Sequence, residues 1–167
     1  MLRSALVTLL GCCALLASAC DGADQTEALE ARIAELQTEL EDRFTPGLHT
    51  LMVDLSTRHA ALWFAGEARN WPLADYMVHE LEELIEEIEE LHPMYREVRV
   101  AELLREMTTP AIELLEAAVE EESRDDFRFA YDQLTTACNA CHIATDRAAI
   151  VMQRPTVPPL TNLRFDP

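Results

Sequence analysis

Apolar residues return every three or four positions along most of this chain, the period of helices with one buried face. The first such run, Leu29, Ile33, Leu36 and Leu40, is a narrow seam among Glu, Arg and Gln, and Thr45-Pro46-Gly47 ends it. The second runs from about Leu48 to Ala65, with Leu48, Leu51, Met52, Leu55, His59, Leu62, Trp63 and Gly66 on one face. After a turn over Gly66 to Asn70, where Asn70 can cap, Leu73, Met77, Leu81, Leu84, Ile88 and Leu91 form a third stripe that stops at His92-Pro93. A fourth covers Tyr95 to Glu121, and Pro110 predicts a kink, a brief break near Thr108-Thr109, or two shorter helices. Ser123 can cap the last helix, where Phe127, Ala130, Tyr131, Leu134, Ala137, Cys138 and Cys141 share a face. Beyond Ile150 three prolines preclude helix and predict a strap.

The expected fold is therefore all-α, an antiparallel four-helix bundle with an extra N-terminal amphipathic helix and an extended Pro-rich C-terminal tail. Residues 1–19 read as a signal peptide, 20–45 as a tether and amphipathic helix, 46–148 as the bundle and 149–167 as the tail. Two heptads are too few for a self-standing coiled coil, so the first helix is expected to lift the domain off a membrane, pack on the bundle, or pair with a second copy as a homodimer.

The leader alters the chemistry. Arg3 precedes an apolar stretch from Ala5 to Leu16 that is too short to span a bilayer, and Ala17-Ser18-Ala19 is a small-residue cleavage site. The cut falls before Cys20, which leaves two readings: an ordinary signal peptidase site, or a lipoprotein site at which Cys20 is acylated. The lipoprotein is favoured, since Leu16-Ala17-Ser18-Ala19-Cys20 is similar to a lipobox. The protein is then expected in the periplasm, anchored to a membrane through lipid on Cys20, and Asp21 hints at retention in the inner membrane.

Charge narrows the partners. All 13 basic residues are arginine, against 31 acidic ones, for a net charge of -18. Such a surface repels nucleic acid and anionic headgroups, so a docking partner should carry a basic surface; solubility alone is the other account of the acidity. With only four glycines, much Ala, Leu and Glu also favours helix.

Cys138-Asn139-Ala140-Cys141-His142 is the attachment pattern of c-type haem. Two thiols at this spacing can add across the two porphyrin vinyl groups, and the next residue, His142, becomes the proximal iron ligand. The alternatives are a disulfide, a thioredoxin-type redox pair, or half of a zinc site. Thioredoxin chemistry wants a βαβ context and structural zinc wants a second ligand pair, and the sequence offers neither. Of five cysteines, Cys12 and Cys13 leave with the leader, Cys20 takes lipid, and Cys138 with Cys141 takes one covalent haem c.

A motif on the last of four helices resembles the cytochrome c prime type of bundle over roughly Leu48 to Ala148, and only Cys138, Cys141 and His142 carry over as motif residues. The chain is also similar to a set of small exported bacterial mono-haem proteins, mostly of unassigned function. That likeness rests on Arg58-His59-Ala60-Ala61-Leu62-Trp63-Phe64-Ala65-Gly66, Asn70-Trp71-Pro72-Leu73-Ala74, the haem motif, and Gln153-Arg154-Pro155. In the cytochrome c prime type an apolar residue closes the distal side. Here His59 lies on the buried stripe, either a satisfied core histidine or the sixth iron ligand, with Met52 and Met152 as further candidates. Arg58 and Arg154 are candidates to pair haem propionates.

Electron transfer is the expected function, gas binding or sensing the first alternative, and a non-haem helical lipoprotein the second. No nucleophile with a base at useful spacing and no phosphate-cradling glycine loop stands in the sequence, so no enzymatic activity is expected.

Overall fold

The computed structural model describes residues 24–40 and 43–167, and every described element of regular structure is helical. The leader, its cleavage site and Cys20 lie outside the described residues. The chain divides into two units at Thr45 and Pro46. In the first, residues 24–40 form helix α1, whose seam residues Leu29, Ile33, Leu36 and Leu40 are all exposed. No described helix is long and apolar enough to cross a membrane.

The second unit is a bundle of α2 (Leu48–Glu67), α3 (Trp71–Leu91), α4 (Val100–Glu120) and α5 (Arg124–Ala144). Helix α2 packs on α3, α3 on α4 and α4 on α5, while α2 and α5 touch far less than these neighbours do. The buried residues are Leu81, Leu84 and Ile88 from the expected α3 stripe, Leu104, Ala111, Ile112 and Leu115 from α4, and Phe127, Tyr131 and Leu134 from the expected α5 stripe; Leu114 of α4 is exposed. Each large buried side chain among these contributes about 1.5–3 kcal/mol by leaving water. The Asn70 side chain accepts from Leu73 N–H at 3.4 Å at the start of α3. Ser123 stands at the start of α5 but turns its hydroxyl to the Asp126 carboxylate instead of capping.

The break expected at Thr108-Thr109 does not form, and α4 runs unbroken through Pro110. Proline removes one helical donor, worth about 1 kcal/mol. Breaking the helix there would expose Thr108, Ala111, Ile112 and Leu115, all buried, so core burial outweighs the lost bond. Tyr95 and Val98, expected at the start of this helix, instead pair with each other in a tight turn before it. His92 ends α3 and also bonds the Pro46 carbonyl through Nε2 at 2.8 Å, tying that end of the bundle to the segment before α2.

Three helix ends are built alike without glycine. Arg69, Glu122 and Asp146 take positive φ of 59°, 52° and 60° after α2, α4 and α5. The next amide then reaches back five residues, Asn70 to Ala65, Ser123 to Ala118 and Arg147 to His142. At α5 this reversal returns the chain alongside the helix it has just left.

Candidate functional site

Where α2 and α5 do touch, the contacts move toward the start of α2 as they move toward the end of α5. Glu67 takes Arg128 at 2.6 Å and Arg124 at 2.9 Å, and these guanidiniums hold its carboxyl below the usual range. Gly66 then lies against the Phe127 ring. Trp63 meets Tyr131 with ring centroids 4.9 Å apart, and His59 stacks on Tyr131 at 4.4 Å and reaches Thr135. Beyond that last contact the two helices part.

The gap is a cavity of about 440 Å³, within the roughly 300–1,000 Å³ of ordinary small-molecule sites. One wall is α2, through Met52, Leu55 and His59; the other is Cys138, Cys141 and His142 on α5 with Ile150 and Met152 after it. A smaller cleft of about 40 Å³ runs inward, bordered by the same Met52, His59, Cys138, Cys141 and His142. The structure therefore brings together all three motif residues and all three further ligand candidates of the sequence. No family of known proteins, no curated protein and no solved structure matches the chain.

The imidazole of His142 is fixed from behind. Its Nδ1 lies 2.8 Å from the Ile150 carbonyl oxygen. A carbonyl only accepts, so Nδ1 carries the proton and Nε2 of the neutral ring keeps its lone pair, the arrangement of a histidine prepared to ligate a metal. The returning chain is pinned next to this bond. Asn139, inside the motif, donates from Nδ2 to the Met152 carbonyl at 3.0 Å and accepts the Met152 N–H at 2.7 Å.

His59 is differently engaged. Thr135 gives its single hydroxyl proton to the Tyr131 carbonyl at 2.9 Å, so its oxygen accepts from His59 Nε2 at 3.0 Å. The Tyr131 hydroxyl stands 3.0 Å from His59 Nδ1. Both ring nitrogens thus have partners, and ligation through Nε2 would require the Thr135 bond to open. Burial holds the His59 pKa at about 4, so the ring is neutral.

Burial also pushes the Cys138 thiol up to about 11 and raises that of Cys141. Thioredoxin-type cysteines are shifted the other way, toward thiolate. Among the described residues no three His, Cys, Asp or Glu side chains converge on a point that could hold a metal ion. A haem needs no such cluster, because the porphyrin supplies four of the iron's ligands and the protein supplies only the axial ones. Two thiols and a free imidazole lone pair in one largely apolar cavity fit that group.

Arg58 and Arg154 point elsewhere. Arg58 pairs with Glu80 at 3.2 Å, while Arg154 forms a two-pronged pair with Asp132 and lies 4.6 Å over the Trp63 ring. The arginine in the cavity lining is Arg147, bonded to the Tyr95 hydroxyl and stacked over that ring at 5.3 Å. Sequence reasoning passed over Arg147 and Tyr95. The signal for Arg147 was proximity: it stands five residues past the motif, just where a helix ending at the motif must turn back; Tyr95 had none.

Proposed function

We propose that this chain is a periplasmic mono-haem c-type cytochrome acting in electron transfer, with haem c held through Cys138 and Cys141 and His142 as proximal iron ligand. The reading rests on one observation above all: the His142 Nδ1 bond to Ile150, which leaves Nε2 available in the same cavity as both thiols. When bound, a haem supplies an iron that exchanges one electron between its ferric and ferrous forms. The chain's residues do the rest. The two thiols would hold the group, the Ile150 carbonyl orients the imidazole and raises its basicity, and the apolar lining would keep water away. Arg147 is suited to pair a propionate at the rim. The finer architecture belongs to the same proposal: an antiparallel four-helix bundle like that of cytochrome c prime, joined by short connections, with the tail laid back along α5. So do export, a lipid anchor on Cys20 and a basic redox partner for the acidic surface.

The test is expression with a c-type haem maturation system, followed by denaturing mass spectrometry. The wild type should gain the mass of one haem, and a variant with Cys138→Ala and Cys141→Ala should gain none. A wild type that leaves maturation without haem would sink the reading and favour the non-haem alternative.

A second reading, gas binding or sensing, is favoured by His59. Both its ring nitrogens are bonded to hydroxyls, so the iron's far side would be open unless another group approaches. Ferrous protein that takes up carbon monoxide at once would support it.

A further inference from the structure

We infer that Met52 is the second axial ligand of the iron, opposite His142. This rests on the haem reading and adds to it the residue that closes the far side.

The contacts between α2 and α5 keep a strict step. Gly66 faces Phe127, Trp63 faces Tyr131, and His59 faces Thr135: three or four residues down α2 for each four up α5. Counted residue for residue from the His59–Thr135 contact, the step sets Ser56 opposite Cys138 one turn onward. Continued by two, it sets Met52 opposite His142. All of these residues line the cavity. A flat group bonded to α5 by both thiols, with His142 beneath it, then has Met52 across the gap.

Three other groups compete for this position. His59 stands two turns deeper, with Nε2 donating to Thr135. His49 falls a turn nearer the mouth, opposite Thr145, and is exposed. Met152 belongs to the wrong wall: Asn139 holds its main chain two residues from the Ile150 carbonyl that orients His142, on the proximal side. Met52 is half-buried, is the methionine that borders both the cavity and its inner cleft, and carries a thioether with no hydrogen bond to surrender. Its unbranched side chain can extend into the gap without moving the helix. Thioether ligation favours ferrous iron, so the protein would have a higher reduction potential than a bis-histidine centre.

The experiment uses matured holoprotein of the wild type and of Met52→Leu, Met52→His, His59→Gln, His49→Gln and Met152→Leu, each with covalent haem verified by mass. The wild type should be low-spin, show the far-red sulfur-to-iron charge-transfer band when oxidised, and resist carbon monoxide when reduced. Met52→Leu should lose the band, become high-spin and bind carbon monoxide. Met52→His should stay low-spin without the band and fall in potential, which separates lost ligation from lost folding; the other three should keep the wild-type spectrum. A high-spin wild type, or a spin change in His59→Gln, His49→Gln or Met152→Leu with none in Met52→Leu, would overturn the assignment while leaving the haem reading intact. Absence of covalent haem from the wild type would overturn both.

Discussion

Asn139 and Met152 form a two-point pair, the side-chain amide of one donating to and accepting from the main chain of the other at 3.0 and 2.7 Å. A motif position usually treated as a spacer therefore holds the returning chain against α5. Asn139→Ala should cost about 1–2 kcal/mol for two part-buried hydrogen bonds. The effect should be local, with faster amide exchange over residues 150–154 and unchanged exchange in α3 and α4. Uniform loss of protection across the bundle would contradict a local clamp.

Gly66 is required by its neighbour. A Cβ at this position would run into the Phe127 ring, which is fully buried against Trp63 and Trp71. Gly66→Ala should destabilise by about 1–3 kcal/mol, as overpacking does. Pairing it with Phe127→Leu should return part of that loss, because the two sites share one volume. Chemical denaturation of the four members of this cycle measures the coupling, and strict additivity would rule out the clash.

His59 makes the fold sensitive to acid. Its pKa is held at about 4 in the fold, against an ordinary 6.5. The unfolded chain thus binds a proton at a pH where the folded chain does not, and stability falls as pH drops from 6.5 toward 4. The full penalty, present below 4, is about 3 kcal/mol. Melting temperatures measured between pH 7 and 4 should decline in the wild type, and His59→Gln should flatten that decline. An equal slope in the variant would place the sensitivity elsewhere.

Pro110 sits inside an unbroken helix, where it removes one backbone donor. Pro110→Ala restores a donor to α4 and removes a ring clash, and should raise stability by about 1–3 kcal/mol. The melting temperature reads this directly. No gain, or a loss, would mean that the ring packs better than the restored bond compensates.

Much of this was legible in the chain. The stripe in α3 carries Leu81, Leu84 and Ile88 into the core as the periodicity requires, and the three residues of the Cys-x-x-Cys-His pattern are ones that line the cavity on α5. What the sequence left open depends on long-range geometry. Whether His59 ligates or is satisfied in the core turns on Tyr131 and Thr135, which lie 72 and 76 residues away. Pro110 misled because local propensity is weak beside burial of Ala111, Ile112 and Leu115. Ser123 has the cap residue but gives its hydroxyl to Asp126, a local competition that spacing does not reveal.

The helix reversal at Asp146 sets the order of assembly. The wall that presents the thiols closes over separations of 8 and 13 residues, whereas α2 is joined to α5 across 57 to 76. Chain entropy favours the short closures by about 2 kcal/mol, so the attachment segment can take its final shape while α2 is still undocked. A nascent chain would thus offer its cysteines from a half-open site that shuts once α2 arrives. Pulse-labelled exchange during refolding should find protection at residues 139–152 ahead of that at His59; the reverse order would refute this sequence of events.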